Sequence, residues 1–391
     1  MSRFDIFLNS TGLNECIKNM QILVYLYLIF RTMPFNIKCN LSVLESDLVG
    51  AYTTEINKLH SFKGQSFLKT SDFTADELLT LIDFTGELKE KKNRGIPHPY
   101  LKGKNLALLF EKPSTRTRAA FSVAACDLGA TAEYFGQGDI HLGVKESTED
   151  TAKVLGRMYD GIEFRGYYQQ DVETLAHHAG VPVWNGLTNE WHPTQMIADF
   201  FTLKENWGTF ENKTLTYVGD AQNNVAQDLL VTGAILGVNV HIAAPKELQP
   251  DSNIQQLAQH YANKSGSEIL ITEDVQQAIF QTDAIYTDVW FSMGDDPSVY
   301  QSRIEQLLPY QVNEKMLTNT LNSDVIVLHC LPAFHDLNTE VGQKIYEQFG
   351  ITEMEITDQV FRGDHSVVFD QAENRLHSIK SILSVTLGDI F

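Results

Sequence analysis

Cysteine is scarce: the 391 residues hold four (Cys16, Cys39, Cys126 and Cys330), with no CxxC pair or other metal-ligand spacing. The scarcity excludes a disulfide framework and the common zinc sites, and it fits a reducing compartment, so a cytoplasmic setting without a metal is expected. Basic charge is also short, with 30 Lys+Arg against 50 Asp+Glu and a formal net charge of −20. Such a surface repels nucleic acid and anionic membranes, so an anionic small molecule must be gripped by a local group of arginines. The apolar run from Ile22 to Phe30, nine residues between Lys18 and Arg31, is far short of the ~20 that a spanning helix needs. Asp5 and Glu15 break the basic start that a secretory signal wants, and no small-residue cleavage site follows. Residues 1–64 are therefore expected to be an extension of unknown role, with Met33 as an alternative start. Glycine fingerprints for nucleotides are missing too. There is no GxxxxGK[ST], and Gly219-Asp220-Ala221 lacks the second and third glycines of a dinucleotide loop. No cofactor is expected.

What is present is length and alternation. A chain of 391 residues with 43% hydrophobic content exceeds the roughly 250–300 residues at which single cores stop growing, so two domains are expected. From Lys102 onward, short β-rich runs (105–110, 132–136, 161–166, 181–184, 214–219, 238–243, 268–271, 284–288 and 325–329) alternate with amphipathic segments. That is the pattern of α/β folds with parallel sheets. Phe121, Ala124, Ala125 and Leu128 recur at helical spacing over 118–128 before Gly129, and Ser147 with Asp150 reads as a helix start. A crossing between two sheets is expected near 205–213, and a last helix near 371–387 that packs back on the first domain.

One segment carries phosphate chemistry. The run 105–110 leads into Glu111-Lys112-Pro113-Ser114-Thr115-Arg116-Thr117-Arg118 and then a helix. A helix start offers free N–H groups and the positive end of the dipole, hydroxyls add donors, and a guanidinium grips phosphate as a fork. Taken alone, Ser114 is equally a plain helix cap and the arginines solvated charges. Other residues are ambiguous by themselves in the same way. His192 before Pro193 opens a helix over 195–206, Arg165 ends a strand, Asp288 follows a strand where open sheets place ligands, and Cys330 is a free thiol that is ordinarily inert packing.

Together the motifs are specific. Ser114-Thr115-Arg116-Thr117-Arg118, His192-Pro193-Thr194-Gln195, Asp288 with Ser292-Met293-Gly294, and His329-Cys330-Leu331-Pro332 resemble, in order, the motifs of the carbamoyltransferase family. The block from Asp288 to Gly294 resembles its ornithine branch. The resemblance covers residues from about Gly64 to the C-terminus and implies an α/β protein of two domains, each a parallel sheet flanked by helices, the second Rossmann-like. It places carbamoyl phosphate on 65–206 plus 368–391 and ornithine on 207–367. It implies transfer of the carbamoyl group to the side-chain amine of ornithine, giving citrulline and phosphate. Carbamoyl phosphate would be held by Ser114, Thr115, Arg116, Thr117, Arg165, His192, Gln195, Cys330, Leu331 and Arg375, with His141 reaching in from a neighbouring subunit of a trimer. Ornithine would be held by Asn224, Asp288, Ser292 and Met293, and the reacting groups would be Arg116, His192, Asp288 and Cys330. A sister activity on putrescine or another amine is the alternative. An inactive paralogue would be expected to have lost Arg116, His192 or Cys330, and all three are present.

The reaction poses one energetic problem. An alkylammonium of pKa ~10.4 is neutral in about one molecule in two thousand at pH 7, so presenting free amine costs about 4–5 kcal/mol. Desolvation and nearby Arg116 and Arg165 would lower that pKa, and Cys330 thiolate or the departing phosphate would take the proton.

Overall fold

The computed structural model describes residues 57–139, 145–291 and 300–390. Two parallel sheets follow one another along the chain. The first, in the order β2-β1-β3-β4, holds β1 (Asn105–Phe110), β2 (Thr131–Phe135), β3 (Gly161–Arg165) and β4 (Val183–Leu187). The second, in the order β7-β6-β5-β8-β9, holds β5 (Thr214–Val218), β6 (Asn239–Ala243), β7 (Ile269–Thr272), β8 (Ala284–Thr287) and β9 (Ile326–His329). In each sheet the chain reverses its direction of winding, between β1 and β3 in the first and between β5 and β8 in the second. Loops leaving neighbouring strands diverge at such points and leave a crevice for ligands.

Strand ends differ from the sequence reading by at most three residues. The largest shift is in β4, which runs Val183–Leu187 instead of 181–184; Pro182 has no N–H for a ladder and stands outside it. The helix after β1, α1 (Thr115–Asp127), starts three residues before the expected 118. Ser114 accepts a hydrogen bond from the Thr117 N–H at 3.2 Å, so the hydroxyl-rich loop is itself the first turn. The helix after β4, α2 (Pro193–Trp207), likewise begins at Pro193, whose missing N–H costs nothing at that position. It is buried through its first eleven residues, from Pro193 to Leu203, and lies between the two sheets. In the second sheet Asn223 caps α3 (Asn224–Leu236), accepting from the Ala226 N–H at 2.8 Å.

The last helix, α4 (Val368–Leu387), returns to the first domain and packs on α1, α2 and the long helix Ala75–Asn93. Polar groups along it find partners there. Ser381 donates to the Leu81 carbonyl at 2.9 Å, and Trp184 Nε1 donates to Thr386 Oγ1 at 2.9 Å. Burial pushes the Lys380 ammonium down to about 8. It donates to His98 Nε2 at 2.8 Å and meets Asp127 at 3.4 Å. The two domains are also joined by a buried carboxyl. Asp228 on α3 accepts from Thr70 Oγ1 at 2.5 Å, from Thr232 Oγ1 at 3.1 Å and from the His192 backbone N–H at 3.0 Å.

Candidate active site

The C-terminal ends of both sheets meet in one cleft. Arg116, in the first turn of α1, donates to the Leu331 carbonyl at 2.5 Å, which brings the hydroxyl-rich turn against the segment leaving β9. Arg165, at the end of β3, and Arg375, on α4, both donate to Thr117 Oγ1, at 3.4 Å and 3.2 Å. Two guanidiniums from two elements thus meet on one buried hydroxyl, and Arg116 acts on both of them through its charge. Burial lowers the pKa of all three, with Arg165 and Arg375 brought to about 10, and repulsion from Arg116 adds to this for Arg165 and Arg375, from Arg165 also for Arg375. They remain cations at neutral pH, which is the condition for holding a phosphate dianion. Ser114 lines the same turn, its oxygen engaged as the cap, and Thr115 is exposed beside it.

α2 contributes the next group. His192 is buried, with Nε2 facing Arg375 Nη1 at 3.4 Å and Nδ1 without a partner. Burial first, then the charges of Arg375, Arg165 and Arg116, hold its pKa well below the usual histidine range, so the ring is neutral. Gln195 is clamped at both ends of its amide. Its oxygen accepts from Arg375, and its Nε2 donates to Asp199 at 2.7 Å. Asp199 also accepts from Gln371 at 2.7 Å and from Tyr286 at 3.0 Å, and burial raises its carboxyl to about 6 against those hydrogen bonds. Asp199 and Gln371 were not singled out in the sequence, although each lies four residues from a site residue on its own helix, where one helical face presents both side chains.

The second sheet supplies the other wall. Asp288, just past β8, accepts from the Val289 N–H at 2.8 Å and from the Cys330 thiol at 3.2 Å. Burial raises the Asp288 carboxyl, and burial with the adjoining Asp288 pushes the Cys330 thiol well above its usual range. Cys330 is therefore a thiol donor to Asp288 in this arrangement. His329 Nδ1 accepts from the Leu331 N–H at 2.9 Å, and its Nε2 faces Glu355 at 3.2 Å, fixing the turn that presents the Leu331 carbonyl. Glu355 carries no sequence signal of this role. Asn224 reaches across to the Thr188 carbonyl beyond β4. His141, Ser292 and Met293 lie outside the described residues.

Donor atoms of Asp288, His329 and Cys330 lie within 4.8 Å of one another, as do those of His335, Asp336 and Asp358. In the first group the carboxyl and thiol bond each other and both imidazole nitrogens are engaged. In the second, Arg362 bonds both carboxylates and supplies the positive charge itself.

The geometry agrees with what sequence comparison finds. The family model described as "Aspartate/ornithine carbamoyltransferase, carbamoyl-P binding domain" matches residues 65–205, and "Aspartate/ornithine carbamoyltransferase, Asp/Orn binding domain" matches residues 211–386. This chain belongs to the aspartate/ornithine carbamoyltransferase family. Among its carbamoyltransferase relatives is the ornithine carbamoyltransferase of Streptococcus pyogenes serotype M5 (strain Manfredo), 61% identical over 84% of this chain and 98% of the relative. A relative at the same identity and coverage in Streptococcus pyogenes serotype M1 is named "Ornithine carbamoyltransferase, catabolic". Among solved structures, the ornithine carbamoyltransferase from Pyrococcus furiosus matches with a TM-score of 0.77 at 39% identity, over 84% of this chain and 99% of that one. The enzyme from Gloeobacter violaceus matches with a TM-score of 0.70 at 35% identity, over 84% and 99%.

Proposed function

We propose that the cleft between the two sheets transfers the carbamoyl group of carbamoyl phosphate to the side-chain amine of L-ornithine, giving L-citrulline and phosphate. The observation that carries this reading is the Arg116–Leu331 hydrogen bond, which joins a three-arginine anion site on one sheet to the Asp288–Cys330 pair on the other. Arg116, Arg165 and Arg375 hold the phosphate, with Ser114, Thr115 and Thr117 at the helix start. Neutral His192 and the clamped Gln195 address the carbamoyl group. A neutral imidazole donates to the oxyanion that forms on attack, and one such donor contributes about 3–4 kcal/mol of barrier lowering.

Asp288 takes the α-ammonium of ornithine, with Ser292, Met293 and Asn224 completing the grip. The Leu331 carbonyl and Cys330 border the amine. With Cys330 held as a thiol, the departing phosphate is the proton acceptor, and the arginines disfavour the charged amine before attack. Holding amine and carbonyl in contact is worth about 7–11 kcal/mol, more than any one acid–base group supplies. Residues 65–206 with 368–391 form the carbamoyl-phosphate domain of this reading and 207–367 the ornithine domain. The assembly is a trimer or a multiple of trimers, and the setting cytoplasmic. Among the described residues, no helix is long and apolar enough to cross a membrane.

Asp288→Ala tests the amino-acid reading. It should raise the ornithine KM and narrow the preference for ornithine over putrescine, since the site loses the group that rewards the α-ammonium. Unchanged selectivity in the variant would remove Asp288 from the ornithine site.

A further inference from the structure

Asp199 is fully buried on α2, four residues after Gln195, where one helical face presents both side chains. Its carboxyl meets side chains from three elements. Oδ1 accepts from Gln195 Nε2 and from Gln371 Nε2 on α4, both at 2.7 Å, and Oδ2 accepts from the Tyr286 hydroxyl on β8 at 3.0 Å. Both amides can face it in only one way. A guanidinium has donors and no acceptor, so the end of Gln195 that meets Arg375 Nη1 is its oxygen and the end that meets Asp199 is its nitrogen. The Gln371 oxygen likewise accepts from the His329 backbone N–H at 2.9 Å, which leaves its nitrogen for Asp199 and Tyr286. Turning the Gln195 amide over would set its NH2 against the guanidinium and its oxygen against the carboxyl, and both buried hydrogen bonds would be lost.

We propose that Asp199 is a positioning residue for substrate choice: it holds the Gln195 oxygen toward the arginines, so the cleft offers an acceptor, and not a donor, to the group on the acyl carbon of the phosphate substrate. The inference deepens the carbamoyl-phosphate reading above and rests on it. A carbonyl oxygen has two lone pairs, so Gln195 can keep Arg375 and still accept from a carbamoyl NH2. An acyl phosphate with a methyl or an anionic oxygen in place of that NH2 supplies no donor, and the Gln195 oxygen then faces a group it cannot bond. Sites built to bond a substrate NH reject analogues that lack it more strongly than apolar pockets reject a change of size. Asp199 touches no substrate atom in this account; it acts through the direction of the Gln195 amide.

Two stable analogues separate donor from acceptor at that position: phosphonoacetamide, which carries NH2, and phosphonoacetate, which carries an anionic oxygen. Charge alone favours phosphonoacetate beside three arginines, so wild type should reveal the fixed acceptor by preferring the amide, on the order of tenfold or more. Asp199→Ala frees Gln195 to turn and should abolish that preference. Asp199→Asn keeps an oxygen for both glutamines, turns its NH2 to the Tyr286 hydroxyl and should retain the preference. Inorganic phosphate should bind both variants at least as tightly as wild type, since a negative charge that acts on Arg375 is gone, and its binding also shows that they fold. A wild type that prefers phosphonoacetate overturns the proposal without any variant. An alanine variant that binds phosphate and keeps the wild-type preference, or an asparagine variant that binds phosphate and loses it, overturns it as well. No binding of inorganic phosphate or of either analogue by wild type would instead overturn the carbamoyl-phosphate reading and this inference with it.

Discussion

Arg116 is a half-buried cation whose hydrogen bond in this structure is to a backbone carbonyl, a partner that a phosphate oxygen outcompetes by charge. Arg116→Ala should weaken carbamoyl phosphate binding by about 1.5–3 kcal/mol, the range of a charge-assisted hydrogen bond. Inhibition constants for inorganic phosphate would check this, and an unchanged constant would take Arg116 out of the anion site. Residues with chemistry of their own were legible in the sequence: Arg116, Arg165, His192, Asp288 and Cys330 all border the cleft. Residues that act by holding others were not. Glu355 reaches His329 from 26 positions away in sequence.

The elements were legible where hydrophobic period and turn residues agree, and less so at their ends. α1 and α2 both begin earlier than their apolar pattern because a cap and a proline, not a core residue, fix the first turn. Contacts between elements follow no local rule, and Asp228 is the case with a measurable consequence. Burial raises its carboxyl from 3.8 to about 7 against three hydrogen bonds. The folded state therefore binds a proton that the unfolded state releases between those values, so this residue's contribution to stability is full below about pH 4 and declines as pH rises to about 7. Asp228→Asn keeps an acceptor for the His192 N–H and turns its amide NH2 to the Thr70 hydroxyl as a donor, but cannot ionise. Its stability relative to wild type should improve by up to a few kcal/mol from pH 4 to pH 8, measured by denaturant unfolding at a series of pH values. A difference that is flat in pH would contradict the account of this latch.

At the scale of the molecule, two parallel sheets in succession follow from the alternation of elements, and the return of the last helix to the first domain agrees with expectation. What the alternation does not contain is which ends converge. The Arg116–Leu331 and Asn224–Thr188 hydrogen bonds show that convergence, at switch points on both sheets. An assembly in which His141 enters a neighbour's site is testable by mixing two inactive variants, Arg116→Ala and His141→Ala, unfolded together and reassembled. In a cyclic trimer one interface of each mixed trimer is repaired, and random mixing makes roughly three quarters of trimers mixed, so about a quarter of normal activity should return. No recovery from trimers shown to be mixed would place the whole site within one chain. The central claim is tested most directly by product formation from carbamoyl phosphate with ornithine, putrescine or aspartate as the acceptor, compared by kcat/KM. Ornithine should be preferred by orders of magnitude, with citrulline and phosphate appearing in equal amounts; a preference for putrescine or aspartate would contradict the account.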